Sequence, residues 1–158
     1  MQCRFLPIRL VLVAVTVVML AGCSKAADFY TDSSGAMRWQ QLQGRYVVVN
    51  YFAEWCAPCL KELPELNAFY RQHAEQVSLF GISFDALDNQ QLELLRARYQ
   101  IEFPLIQLQP EPTLPFVRPK MLPATYIIDP AGTITGPLYG EQNLLSLQKA
   151  TGLTKEVL

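Results

Sequence analysis

The stretch Tyr46-Val-Val-Val-Asn-Tyr-Phe52 is apolar at all positions but one and runs straight into Ala53-Glu-Trp-Cys-Ala-Pro-Cys59. A run of β-branched and aromatic residues with no polar alternation describes a strand buried on both faces. Helix is predicted immediately afterwards, from Pro58 to about His73. Leu60, Leu63, Leu66 and Phe69 or Tyr70 are spaced there for one apolar face, and Pro64 should kink the helix. The chain therefore places two thiols, Cys56 and Cys59, where a buried strand meets a helix. Thiols at this spacing can bind metal, staple a loop or exchange disulfides, and the setting decides among these.

Only four cysteines occur in 158 residues, and Cys3 and Cys23 lie in a segment with a separate explanation. Met1 to Arg9 carries two arginines and no acid, and Leu10 to Leu20 is an apolar run interrupted by one threonine. Spanning a bilayer takes roughly 20 apolar residues, so the run fits the core of a signal peptide better than a permanent membrane helix. It ends in Leu20-Ala-Gly-Cys23, which resembles the bacterial lipobox, where cleavage precedes a cysteine whose sulfur then receives a diacylglyceryl group. That resemblance implies a lipoprotein signal peptide over 1–22, lipidation at Cys23, a tether over 23–29 and one folded domain over 30–158. The mature chain would be lipid-anchored in the bacterial cell envelope, facing the periplasm or extracytoplasmic space.

Half of the residues are apolar and the net charge is −1, with no basic tract, so no nucleic-acid partner is expected. Outside the cytoplasm a disulfide can persist, and a single mature pair could serve as a staple there. Staples gain most from closing long loops, and a two-residue loop is a poor one. A zinc site would need two further ligands, while the mature chain offers only His73 and the lipid-blocked Cys23. Thiol–disulfide exchange is the reading that survives, and no metal is expected.

Further along, Asp32-Ser-Ser-Gly35 is a turn signal and Trp39 to Gly44 a short helical turn. Val77 to Phe84 is a second buried strand. Asp88 is the expected N-cap of a helix to Tyr99, with Leu92, Leu95 and Tyr99 facing the core. Phe103 to Leu108 suggests a short strand, whereas Pro110 to Pro119 holds four prolines and cannot be the interior of a regular element. Ala124 to Asp129, a turn at Pro130-Ala-Gly132, and Thr133 to Tyr139 read as a hairpin, and Glu141 to Thr151 as the closing helix. The order β-α-β-α then β-β-α predicts an α/β fold with a mixed central sheet flanked by helices on both faces.

These residues resemble the thioredoxin superfamily, and within it the TlpA/ResA-like thiol–disulfide oxidoreductases. The resemblance is carried by Val47 to Cys59, by Lys61-Glu-Leu-Pro64, by Leu122-Pro-Ala-Thr-Tyr-Ile-Ile-Asp129 and by Gly132, and it covers roughly Tyr30 to Thr151. It implies that Cys56 is the attacking thiol and Cys59 the resolving one. It also implies a cis bond at Pro123, with the Leu122 backbone beside the dithiol ready to pair with a substrate segment. Trp55 would flank the dithiol as a lid, and Pro58 would shape the helix start. Thioredoxin carries a buried aspartate six residues before the first cysteine, where this chain has Asn50. The membrane-attached subgroup instead places a glutamate three residues after the second cysteine, where Glu62 stands. Glu62 could face the dithiol and take the Cys59 proton, or point to solvent.

Other residues have plainer roles. His73 is expected as a solvated cation in the last turn of its helix, and Tyr51, Phe52 and Phe84 as core aromatics. Trp39 should pack beneath an N-terminal hairpin, Glu54 should be exposed, and Arg118-Pro-Lys120 should form a solvated loop. What the resemblance implies is a monomeric, cofactor-free enzyme that reduces disulfides in extracytoplasmic proteins and is re-reduced by a membrane dithiol donor, as in cytochrome c maturation. An envelope dithiol oxidant is the first alternative, and a non-catalytic binding or metallochaperone lipoprotein the second. Peroxidase chemistry lacks its Thr-x-x-Cys motif here.

Overall fold

In the computed structural model of the chain, which describes residues 26–153, the long apolar run becomes the core of a seven-stranded sheet. The expected signal peptide over 1–22 and the expected lipidation site Cys23 lie outside the described residues. In chain order the elements are β1 Phe29–Thr31, β2 Gly35–Met37, a 3₁₀ turn Trp39–Leu42, β3 Tyr46–Phe52 and α1 Ala57–Gln72. There follow β4 Val77–Ser83, α2 Asn89–Tyr99, β5 Leu105–Ile106, β6 Ala124–Ile128, β7 Ile134–Tyr139 and α3 Leu144–Thr151. The strand order is β2-β1-β5-β4-β3-β6-β7. The β3–β4 and β4–β5 pairs are parallel, and all other neighbours are antiparallel.

Alternation along β3 distributes its side chains to two cores. Val48 and Phe52 join Leu63, Leu66 and Phe69 of α1, Leu92 and Leu95 of α2, and Leu147 of α3. Val47, Val49 and Tyr51 point the other way, among Phe29, Leu42, Phe80, Ile82 and Tyr126. All three α-helices therefore share one face of the sheet. The expected helices on the second face reduce to the 3₁₀ turn. Handedness explains this: the β3–α1–β4 and β4–α2–β5 crossovers step in the same direction across the sheet, so right-handed connections deliver both helices to the same side.

The proline-rich segment covers the second face instead. Leu108, Leu114 and Phe116 pack on that core, and the Phe116 ring stacks on Tyr126 at 4.3 Å. Trp39 donates its indole N–H to the Thr113 carbonyl at 2.7 Å and stacks on Phe29 at 4.5 Å, so it does pack under the β1–β2 hairpin. The Tyr126 hydroxyl donates to the Val117 carbonyl at 2.8 Å. A segment barred from ladders by its prolines is thus held by single hydrogen bonds and ring contacts.

Some boundaries and burials differ from the sequence expectations. Phe29, assigned to the tether, is the first residue of β1 and fully buried, so the fold begins there. Helix α1 continues through Pro64, which lies on its exposed side. His73 is buried rather than solvated. It is 5% exposed, its ring lies 4.8 Å from that of Phe69, and one ring nitrogen is 3.2 Å from the Gln148 amide of α3. Helix α3 starts at Leu144 rather than Glu141 because Asn143 caps it in a reciprocal pair with Ser146.

Asp32, legible in the sequence only as a turn residue, is a tertiary clamp. Its backbone N–H donates to the Leu105 carbonyl at 3.0 Å, and its carboxylate accepts from the Leu105 N–H at 2.9 Å. Arg96 of α2 reaches the same carboxylate in a two-pronged pair, at 2.7 and 2.8 Å. The hairpin, β5 and α2 meet at this one buried charge. Replacing Asp32 by alanine leaves Arg96 with only the Ile101 and Phe103 carbonyls, and urea unfolding should show a loss of about 1–3 kcal/mol. The double variant Asp32→Ala/Arg96→Met should lose less than the two single losses combined. A β-carbon at Gly81 would stand 2.7 Å from Leu105 Cδ2, so Gly81→Ala should cost about 1–3 kcal/mol by overpacking in the same measurement.

Candidate active site

Cys56 is the N-cap of α1, with extended backbone, and its sulfur accepts the Cys59 N–H at 3.3 Å. The helix starts here because Pro58 falls within the first turn, where its missing N–H costs no intrahelical bond. Cys56 and Cys59 are closed into a disulfide, with Cα atoms 5.2 Å apart. Cys56 is 6% exposed and Cys59 0%, so the first cysteine is the one that a partner can reach. Unpaired N–H groups and the macrodipole at this helix end favour a thiolate on Cys56 by about 0.3–2 kcal/mol.

Glu62 points inward. It is 1% exposed, and its carboxylate is held from two sides. Asn50 of β3 donates its side-chain amide to Oε1 at 2.8 Å, and the Gln142 backbone N–H donates to Oε2 at 2.8 Å. Asn50 also donates to the Thr125 hydroxyl of β6 at 3.1 Å, its register partner across the sheet. Burial lifts the Glu62 pKa from 4.5 to about 7, against the two hydrogen bonds, which lower it. A carboxyl titrating near neutrality can both give and take a proton at working pH. Lys61, Glu65, Glu141, Gln142 and Asn143 line a cleft next to it.

The Leu122–Pro123 bond is cis, as the resemblance implies, and so are Gln109–Pro110 and Gly136–Pro137. Leu122 packs on the core that holds both cysteines. Trp55 is 65% exposed. It is fixed by an indole N–H bond to Asp85 at 2.9 Å and by an edge contact with Phe84 at 6.2 Å. Arg118 is not simply solvated: its guanidinium lies over Phe84 at 3.8 Å and donates to the Phe84 carbonyl at 2.6 Å. Glu54 is exposed, and its charge is paired with Arg98 and Tyr99. The roles of Asp85, of Thr125 within its motif and of the Gln142 backbone were not legible in the sequence, because each acts through a partner on a distant element.

The fold and this redox-active pair define a class, the thioredoxin-fold thiol–disulfide oxidoreductases, and comparison with known proteins agrees. Solved structures supply the fold match. One is MTB dsbF, at TM-score 0.65 and 21% identity over 80% of this chain and 93% of that one. StoA from Bacillus subtilis matches at TM-score 0.58 and 22% identity over 77% and 92%. The chain belongs to the AhpC/TSA family, whose model matches residues 24–136. Among its relatives, a thiol-disulfide oxidoreductase ResA of Bacillus cereus is 28% identical over 123 residues, 75% of this chain and 69% of that protein. The thioredoxin-like protein YneN of Bacillus subtilis is 25% identical over 114 residues, 70% of this chain and 66% of that protein.

The raised pKa of Glu62 has a consequence for stability. The folded protein holds this proton more tightly than the unfolded chain, so folding carries no penalty below about pH 4.5 and the full one above about pH 7. The span corresponds to roughly 3 kcal/mol. Denaturant titrations should therefore show wild type losing roughly that much stability relative to Glu62→Gln as pH rises through this window. Parallel stability curves for the two proteins would contradict it.

Proposed function

We propose that the protein reduces disulfides in extracytoplasmic polypeptides while tethered to the envelope by lipid on Cys23. The buried Glu62, hydrogen-bonded to Asn50 in place of thioredoxin's aspartate, is the observation that carries this reading. In the reduced enzyme the Cys56 thiolate attacks one sulfur of the substrate disulfide, and the substrate S–S bond breaks as a mixed disulfide forms. The departing thiolate takes up a proton. Glu62 accepts the proton of Cys59, directly or through water, and the Cys59 thiolate then attacks Cys56 Sγ. The second substrate thiolate leaves and is protonated, and the enzyme pair ends oxidised by two electrons. Leu122 presents its backbone to the substrate segment and Trp55 shields the pair. A membrane dithiol donor restores the reduced enzyme, as cytochrome c maturation would require, and the protein acts as a monomer without a cofactor.

Cys59→Ser should accumulate mixed disulfides through Cys56, detected on non-reducing gels, and Cys56→Ser should accumulate none. Equilibration with glutathione or dithiothreitol buffers should place the pair near thioredoxin's potential of about −270 mV, whereas a value near −120 mV would reverse the direction to oxidant. Glu62→Gln should slow insulin reduction by roughly 10²-fold and remove the inflection near neutral pH from the rate profile, because general acid–base catalysis is typically worth at least that much. An unchanged pH–rate profile would exclude Glu62 from the proton path.

A further inference from the structure

On the sheet face opposite α1, where β3 and β4 end near the dithiol, a groove of about 450 Å³ separates the strands from the proline-rich segment. Tyr51, Ile82, Leu114 and Phe116 line it, together with Glu111 and Arg118. The volume falls in the range of small-ligand pockets. Bonds from Trp39 to Thr113 and from Tyr126 to Val117 fix the outer wall, so the groove is preformed.

Two residues that can donate hydrogen bonds, Tyr51 and Arg118, line this space. Tyr51 is 3% exposed, and it lines the groove with a hydroxyl that a ligand acceptor can engage. The neighbouring Tyr126 hydroxyl is satisfied by Val117. Arg118 lines the same groove. Its side-chain bond to the Phe84 carbonyl uses one of five N–H donors. Glu111 also lines the groove, so an acidic ligand is drawn to the Tyr51–Arg118 side and repelled from the Glu111 side.

We propose that this groove is a specificity pocket of the redox site, taking a carboxylate side chain, beside an apolar residue, from the polypeptide whose disulfide is exchanged at Cys56. The proposal rests on the reading that polypeptides are the substrates. Reach is consistent with it. Arg118 lies 3.8 Å from the centre of the Phe84 ring, which is 6.2 Å from that of Trp55, the residue before Cys56. An extended chain covers about 3.3–3.6 Å per residue, so roughly three residues cover the two separations that lead from Arg118 to the Trp55 ring.

The test uses the oxidised protein and short alanine-based peptides with serine at the cysteine position, one leucine, and a glutamate or its glutamine twin moved along the sequence. At one placement the glutamate peptide should bind about tenfold more tightly, the scale of a charge-assisted hydrogen bond. Tyr51→Phe and Arg118→Gln should each bring that ratio towards one, and Lys120→Gln should leave it unchanged. Equal binding of the twins at every placement, or a preference that survives Tyr51→Phe/Arg118→Gln, would overturn the pocket. Exchange between the reduced protein and bis(2-hydroxyethyl) disulfide, which carries no acid, is measured separately. Its absence would count against the dithiol chemistry, while the peptide ratios decide the pocket.

Discussion

Everything in this molecule is arranged around a strand that must be hidden from water on both sides and yet carries one polar side chain. Val47, Val48, Val49 and Phe52 of β3 are almost completely buried, and so is Asn50. A buried amide without partners costs a few kcal/mol, so the neighbours of Asn50 are constrained. They are Thr125 on the adjacent strand and Glu62 on the covering helix. The bond from the Asn50 amide N–H brings a carboxylate into the interior, one helical turn beyond Cys59, while the amide oxygen is buried without a partner among the described residues.

That placement links stability to chemistry. The helix N-terminus favours the anion of Cys56. The shift at Glu62 has a different cause, since burial outweighs two hydrogen bonds that favour the charged form. The fold therefore bears the cost of a carboxylate that would be more stable in water, a usual sign of a site tuned for proton transfer. The Gln142 N–H bond to Glu62 and the Leu144 N–H bond to Glu65 tie the turn before α3 to the dithiol helix. The position of α3 thus depends on α1 through acidic side chains.

The second face of the sheet follows a different logic. Right-handed crossovers place the α-helices together on one side, leaving a hydrophobic surface that a proline-rich segment covers. Because this segment cannot join a ladder, it rests on side chains and single backbone bonds, and a groove remains beneath it beside the redox end of the sheet. Irregular backbone is the usual place for binding specificity on a rigid scaffold.

Residue order alone determined the main elements: β3, α1, β4, α2 with its Asp88 cap, and the β6–β7 hairpin are all local patterns of hydrophobicity, capping and turn residues. It also singled out the dithiol by its spacing, and Glu62 and Pro123 through the resemblance to the thioredoxin superfamily. Tertiary structure decided what depends on partners far apart in the chain. The burial of His73 comes from α3, and Asp32 becomes a clamp only when Arg96 arrives from a helix 64 residues away. Glu62 could have faced water or the core, and it was Asn50, Thr125 and the Gln142 backbone that fixed it inside. Local pattern sets what a segment prefers, but burial is a property of the assembled whole, and burial is what shifts a pKa.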